Sequence, residues 1–399
     1  MKITGLRIER DTVRFEPKYK GEARSVGPLD IYEEYAKDIH PRNMRSGSKE
    51  GGGTSTAMFV VIETDEGIEG RCGPVENRSE LLTVMDGIAP HLVGRDPLSN
   101  RMLWDIASRF DRHSRSGVML MAISAVDIAL WDLKGKILGQ PVYKLLGGGR
   151  DRIRPYISML GFSLESDAVR RRALAVKDMG VKAQKWFFRY GPADAAEGFK
   201  KNLEMAFLLR ETLGDTYELM FDCWMGWTIS YAKDIFRELE KVHPIWVEEV
   251  LRPHMVDGYR KLKEETSIPL SAGEHLYTRM EVNGYLKENV LDVIQSDPVW
   301  CGGITEALRI ADLCEMYGVT FIPHGHSLMP AMHVVASMPQ DICPYCEYLL
   351  NFMDKKNAVF LHNRLGNDGW LTMNDTPGLG EEVDESRMIS KETVHEFTF

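Results

Sequence analysis

Residues 218–227 read ELMFDCWMGW, an apolar run that stops at a carboxylate. Leu219, Met220 and Phe221 form a short stretch that is apolar throughout, the pattern of a strand buried on both faces. Asp222 follows at once. A charge at the end of such a strand is costly unless it is paired, hydrogen-bonded or bound to a metal.

The surrounding chain repeats the theme. From residue 153 onward, short apolar segments alternate with amphipathic stretches such as 231–241 and 305–316. That rhythm predicts parallel strands with helices outside them. Eight candidate strands fall at 154–159, 183–188, 218–222, 244–248, 269–273, 293–297, 320–323 and 345–349. Eight parallel strands point to a closed α/β barrel, whose chemistry sits at the C-terminal strand ends. Ahead of the barrel, strand-like segments at 6–15 and 57–64 suggest a small α+β domain. The serine- and glycine-rich stretch 41–53 between them reads as a solvated loop or a lid.

With the strands in register, the acidic residues align. Asp222, Glu248 and Glu274 are spaced 26 residues apart, one β–α unit each, so three carboxylates end three adjacent strands. Oxygen donors of that kind suit Mg²⁺ and suit zinc poorly. A bound Mg²⁺ is thus the expected compensation for Asp222. Asp297 ends the sixth strand and His324 the seventh, 27 residues on. A carboxylate beside an imidazole fixes its tautomer and raises its basicity, which makes the pair a candidate general acid–base. His326 competes with His324, and alternation of strand faces does not separate them. Lys185 on the second strand reads either as a group facing the metal, a base or a partner for a substrate carboxylate, or as a surface lysine. Glu347 on the eighth strand and His275 after Glu274 are weaker candidates for substrate hydroxyl contacts.

Composition bounds the function. The chain has 399 residues, 44% of them hydrophobic, and 49 basic against 59 acidic side chains, a formal charge of −10. That balance disfavours nucleic acid and anionic membrane as partners. No apolar run is long enough to span a bilayer, and Met1-Lys2-Ile3-Thr4 begins no secretory signal, so the expected location is cytoplasmic. Cys343-Pro344-Tyr345-Cys346 has the spacing of a redox pair but not its setting near the start of a small βαβ domain, and reads as reduced thiols beside a strand.

These residues, in this order, resemble the enolase superfamily, closest to its mandelate racemase/muconate lactonizing enzyme branch. The segments AISAVDIALWD (122–132) and PVYKLLGG (141–148) carry the likeness alongside the strand ends. The resemblance implies a modified TIM barrel, (β/α)₇β, over residues 126–370, an α+β capping domain over 1–125, and a C-terminal segment, 371–399, that returns to the cap. It implies Mg²⁺ on Asp222, Glu248 and Glu274, and a catalytic dyad of Asp297 with His324, the histidine of the Pro323-His324-Gly325 motif. Racemase-like members carry Lys-x-Lys on the second strand. Here the stretch is Lys185-Trp186-Phe187, so only one acid–base face is furnished. Phe187, together with Asp222-Cys223-Trp224-Met225 and Trp300-Cys301-Gly302-Gly303, is similar to the L-rhamnonate dehydratase group.

The implied activity is Mg²⁺-dependent dehydration of an aldonate to a 2-keto-3-deoxy acid, through C2 proton abstraction and an enediolate. The alternative is a sugar-lactone or anhydrosugar-acid cycloisomerase; a racemase and an inactive scaffold rank below it. The partners implied are a small sugar acid and further copies of the chain. Selectivity is expected from the capping segments 18–54 and 112–116, where His40, Arg42 and Arg45 lie.

Overall fold

A computed structural model describes residues 1–19, 21–37, 53–75, 78–361 and 364–398. His40, Arg42 and Arg45, and most of the expected lid at 41–53, lie outside the described residues.

The chain opens with three strands, β1 (Ile3–Phe15), β2 (Gly53–Thr64) and β3 (Glu69–Cys72). Each pairs antiparallel with the next, so β1 and β2 extend beyond the segments anticipated at 6–15 and 57–64. The helix Gly117–Ile137 packs on β3 and is buried along most of its length. Gly70 permits the contact, because a Cβ there would lie 2.2 Å from the carbonyl oxygen of Ala129.

The two-residue β4 (Arg152–Ile153) leads into eight parallel strands. They are β5 (Pro155–Ser158), β6 (Ala183–Phe187), β7 (Glu218–Asp222), β8 (Val247–Glu248), β9 (Leu270–Ala272), β10 (Val293–Ile294), β11 (Thr320–Phe321) and β12 (Cys346–Leu349). Their lateral order is β11-β10-β9-β8-β7-β6-β5-β12, so the last strand pairs with the first and the sheet curls on itself. At the β11/β12 seam, Phe321 N donates to Ile342 O at 2.9 Å and Cys343 Sγ to Phe321 O at 2.9 Å. The eight-stranded α/β barrel anticipated above is therefore present. The last strand pair of the chain follows: β13 (Leu371–Thr372) joins β4, and β14 (Met388–Thr398) adds to the free side of β1 in the capping sheet.

Several barrel strands are shorter than their apolar segments. The segment 244–248 contributes only Val247–Glu248 to the ladder, and 293–297 only Val293–Ile294. In the first the residues left out, 244–246, precede the ladder, and in the second, 295–297, they follow it; just past the ends of β8 and β9, Glu249 takes a φ of 43° and Gly273 a φ of 134°. Left-handed backbone of that kind ends a strand and costs about 1 kcal/mol or more at a non-glycine position.

Side chains inside the barrel form layers two residues apart, as the strand period requires. Tyr156, Ala183, Met220, Trp246, Val293, Ile322 and Tyr345 form one buried apolar cluster. One step further along the same strands stand Ser158, Lys185, Asp222, Glu248, Gln295, His324 and Glu347, all buried. Polar residues therefore crown an apolar plug, and the site sits at the C-terminal rim. Residues 21–37 reach over that rim: Val26 N donates to Phe188 O at 2.8 Å and Glu22 N to Gly161 O at 2.7 Å. The segment 112–116 is a turn leading into helix Gly117–Ile137. All six cysteines are buried free thiols, Cys343 and Cys346 included. Among the described residues no helix is long and apolar enough to cross a membrane.

Candidate active site

The polar layer divides into a floor and a wall. At the floor, the ammonium of Lys185 is fully buried and meets three carboxylates: Glu248 Oε1 at 2.6 Å, Glu347 Oε1 at 2.9 Å and Asp222 Oδ2 at 3.1 Å. Backbone register brings them together, with Asp222 opposite Glu248 and Phe187 opposite Asp222. The second oxygen of Glu248 accepts from Gln295 Nε2 at 2.8 Å and Trp246 Nε1 at 3.1 Å. Asp222 Oδ1 accepts from Trp224 N at 2.8 Å. Burial opposes a charge on Lys185, but its carboxylate neighbours outweigh burial and raise its pKa well above the usual lysine value. As placed, Lys185 is the common counter-charge of three carboxylates. Burial likewise opposes the Glu347 carboxylate, and Lys185 with His324 outweighs it and holds that group below the usual range.

The wall stands on β9, β10 and β11. His324 Nδ1 lies 2.6 Å from Asp297 Oδ2, and its Nε2 lies 3.3 Å from Glu274 Oε2 and 3.8 Å from Glu347 Oε2. Burial pulls the His324 pKa down, yet Glu274, Glu347 and Asp297 together raise it to about 10. His326 reaches Asp297 only through its backbone N, at 3.2 Å. Gly325 between them leaves room for Glu347, whose carbonyl oxygen would lie 2.8 Å from an added Cβ. The Trp300 indole packs against three imidazoles, with centroids 5.1 Å from His324, 4.8 Å from His326 and 5.8 Å from His275.

Glu249 was not anticipated. It is buried, and its Oε1 lies 2.7 Å from Nδ1 of His275, a residue expected to meet substrate hydroxyls instead. That contact, with Glu274 nearby, raises His275 to about 9 against the pull of burial. The Glu248-Glu249 doublet was the available signal, but the left-handed φ that turns the second carboxylate toward His275 is not written in residue types.

The donor set fits a divalent cation. Asp222, Glu248, Glu249, Glu274, Asp297 and Glu347 are buried carboxylates, against Lys185, His324 and His275 as nearby cations. Burial raises Asp222 to about 6 despite Lys185, and burial with neighbouring carboxylates pushes Glu248 and Glu274 up. One oxygen of Glu249 is buried with no hydrogen-bond partner. Among the described residues, the group whose ligand atoms all lie within 4.8 Å of one another is Glu249, Glu274 and His275, not the anticipated trio. Asp222 and Glu248 are turned to Lys185, and Glu274 alone belongs to both sets. On donor chemistry the all-oxygen trio suits Mg²⁺ better than a set containing imidazole.

A smaller cavity of about 210 Å³ adjoins the wall, lined by Cys72, Val75, Met121 and Val299 with Trp300, His326 and Glu80. A larger one of about 850 Å³, between the end of β1 and helix Leu350–Lys356, is lined by none of the strand-end residues.

Residues 168–387 match the family described as enolase C-terminal domain-like, and residues 32–147 match the mandelate racemase/muconate lactonizing enzyme N-terminal domain. An L-rhamnonate dehydratase of Saccharopolyspora erythraea is 30% identical over 349 residues, covering 85% of this chain and 86% of that protein. A D-galactonate dehydratase of Ralstonia nicotianae is 31% identical over 351 residues, covering 84% and 90%. The crystal structure of rhamnonate dehydratase from Gibberella zeae complexed with Mg superposes with a TM-score of 0.81 at 27% identity, covering 97% of this chain and 96% of that one. The chain belongs to the mandelate racemase/muconate lactonizing enzyme family of the enolase superfamily, and within it to the hydro-lyases.

Proposed function

We propose that this hydro-lyase removes water across C2 and C3 of an aldonate, with Mg²⁺ on Asp222, Glu248 and Glu274 and with His324 as its acid–base group. The observation that carries the reading is one-sided: the Asp297–His324 dyad and the Glu249–His275 pair both pack against Trp300, and β6 carries Phe187 where a second base would stand. The 2.6 Å contact with Asp297 occupies Nδ1 of His324, so Nε2 is the nitrogen free to take a proton. The position where a second base would stand is Phe187, an apolar ring 5.4 Å from the Lys185 ammonium. Racemisation needs proton donors and acceptors on both faces of C2; elimination needs one.

Bound at the trio, Mg²⁺ supplies Lewis-acid stabilisation of the charge that develops on the substrate carboxylate as C2 loses its proton. With a cation on Glu274 offsetting the negative charge that keeps the imidazole protonated, His324 Nε2 would take that proton while Asp297 holds the ring and stabilises the imidazolium. The C3–O bond then breaks, and the proton on Nε2 leaves with the hydroxyl as water. The enol product tautomerises to a 2-keto-3-deoxy acid. Lys185, locked in the floor, keeps the carboxylates in place and adds a fixed positive charge beneath the reacting carboxylate. His275, half-buried beside Glu249, is assigned to orient substrate hydroxyls.

The small cavity favours a substrate with an apolar end. Cys72, Val75, Met121 and Val299 offer little to a hydroxyl, and Glu80 is the acidic group in its lining. A terminal methyl, as in a 6-deoxy aldonate of the L-rhamnonate type, suits that lining. A second carboxylate, as in an aldarate, would find Glu80 and, among the described lining residues, no lysine or arginine. The test is a panel of 6-deoxy aldonates, aldonates and aldarates with Mg²⁺, scored for 2-keto acid. Turnover of 6-deoxy aldonates above the rest supports the reading, and turnover confined to aldarates overturns it.

A further inference from the structure

Away from the strand-end centre, a cleft of about 490 Å³ opens between helix Asn100–Arg109 and the helices Thr278–Glu288 and Gly303–Tyr317. Three of its lining residues are arginines, Arg101, Arg279 and Arg309, in a chain whose formal charge is −10. Such a concentration of cations calls for a physical account.

Two of the guanidiniums are held in place. Glu306 is fully buried; its Oε2 accepts from Arg279 Nη1 at 2.5 Å and from Arg309 Nη1 at 2.9 Å, and its Oε1 from Arg279 N at 2.9 Å. The Arg309 guanidinium also packs over the Trp104 ring, 4.7 Å from its centroid, and Trp104 Nε1 donates to Gly302 O at 2.7 Å. One carboxylate neutralises only one of the two cations. Arg101 on the facing helix is exposed and makes no ion pair or side-chain hydrogen bond among the described residues. The acidic side chain in the lining, Asp105, is paired with Arg109 at 2.8 Å. The cleft thus keeps an excess of positive charge, and each guanidinium has five N–H donors, most of them unspent.

We propose that this cleft binds a small multiply charged oxyanion, a phosphate ester or a polycarboxylate, at a site separate from the catalytic centre. Planar guanidinium forks recognise both anions bidentately. Pre-organisation by Glu306 and Trp104 lowers the ordering cost of binding. The reading does not depend on the proposed dehydration.

Isothermal titration of the Mg²⁺-loaded protein with inorganic phosphate and with tricarballylate, at constant ionic strength in chloride, tests it. One site is expected for at least one of the two anions, and which anion binds identifies the class. Arg101→Glu should weaken binding at least tenfold with an unchanged thermal midpoint, because Arg101 is exposed and unpaired. Arg309→Lys, which keeps the charge and loses the fork, should weaken it severalfold. Glu274→Gln at the strand ends should leave it intact. Absence of binding by either anion overturns the proposal, as does unchanged affinity in Arg101→Glu. A change of particle mass in Arg101→Glu by light scattering also overturns it, since the cleft would then hold acidic side chains of a second copy.

Discussion

Oδ2 of Asp297 lies 2.6 Å from Nδ1 of His324, which leaves Nε2 of the same ring 3.3 Å from Glu274 Oε2. One imidazole thus joins a buried orienting carboxylate to an expected metal ligand. His324→Asn removes the proton acceptor and keeps a side chain of similar reach. Turnover of the best aldonate should fall by about 10²–10⁴-fold, the usual worth of a positioned general base, with Mg²⁺ affinity and thermal midpoint little changed. Asp297→Asn should also lower kcat, because an amide no longer dictates that Nδ1 carries the proton. Full activity in His324→Asn would remove the dyad from the reaction.

The two donor sets around Glu274 make opposite demands on substitution. If Mg²⁺ sits on Asp222, Glu248 and Glu274, then Glu248→Gln should weaken it at least tenfold while Glu249→Gln changes it little. Exhaustive chelation should abolish turnover, and added Mg²⁺ should restore it. Titration of Mg²⁺ into each variant, followed calorimetrically, separates the cases. Weakening by Glu249→Gln and His275→Ala, with Glu248→Gln silent, would move the ion to the set with the 4.8 Å spread.

Much of this was legible in the chain, for identifiable reasons. The barrel announced itself because its strands are short apolar runs, and spacing alone set Asp222 opposite Glu248; Glu274 lies two residues beyond the end of β9, where Ser271 is the residue opposite Glu248. The choice between His324 and His326 was not legible from alternation, because both have the same parity as Ile322. Loop geometry after Phe321 separates them, placing one ring and the other's backbone N on Asp297. Lys185 was hidden for a different reason. A lysine one step above an apolar plug can face outward to substrate or be buried among carboxylates, and residue type does not distinguish the two. The Glu249–His275 contact depends on a positive φ at Glu249, a backbone state its neighbours in sequence do not announce.

Lys185 supplies a stability prediction. Its ammonium is buried against Asp222, Glu248 and Glu347. Lys185→Met keeps much of the volume and strips three buried carboxylates of their common counter-charge. Breaking one partner of a buried ion pair destabilises by about 3–5 kcal/mol, so the thermal midpoint without Mg²⁺ should drop by several degrees or more. Added Mg²⁺ should recover part of the loss, because a cation at the strand ends again offsets the carboxylates. A midpoint equal to that of the parent protein in metal-free buffer would show that Lys185 is not the keystone of the floor.

His333 provides a pH prediction distant from the reacting groups. Its ring is buried, Nδ1 accepts from Tyr143 N at 3.0 Å, and Nε2 donates to Leu379 O at 3.0 Å. The neutral tautomer with the proton on Nε2 satisfies both contacts; a second proton on Nδ1 would face the Tyr143 N–H. Burial is the main influence lowering its pKa, to about 4, and the nearby positive charge of Arg364 adds to it. An unfolded histidine titrates near about 6.5. Above that pH neither state is protonated and the group is neutral to stability. As pH falls from about 6.5 to about 4, the unfolded chain binds a proton that the folded chain refuses, so stability declines through that window by up to about 3 kcal/mol. Below it both states are protonated and the decline stops. His333→Gln cannot titrate, so it should lose stability at neutral pH by a constant amount but escape the extra acid-side decline. Urea midpoints of both proteins at pH 7, 5.5 and 4.5 should converge as pH falls; parallel profiles would mean that His333 accepts its proton in the folded state as readily as in the unfolded one.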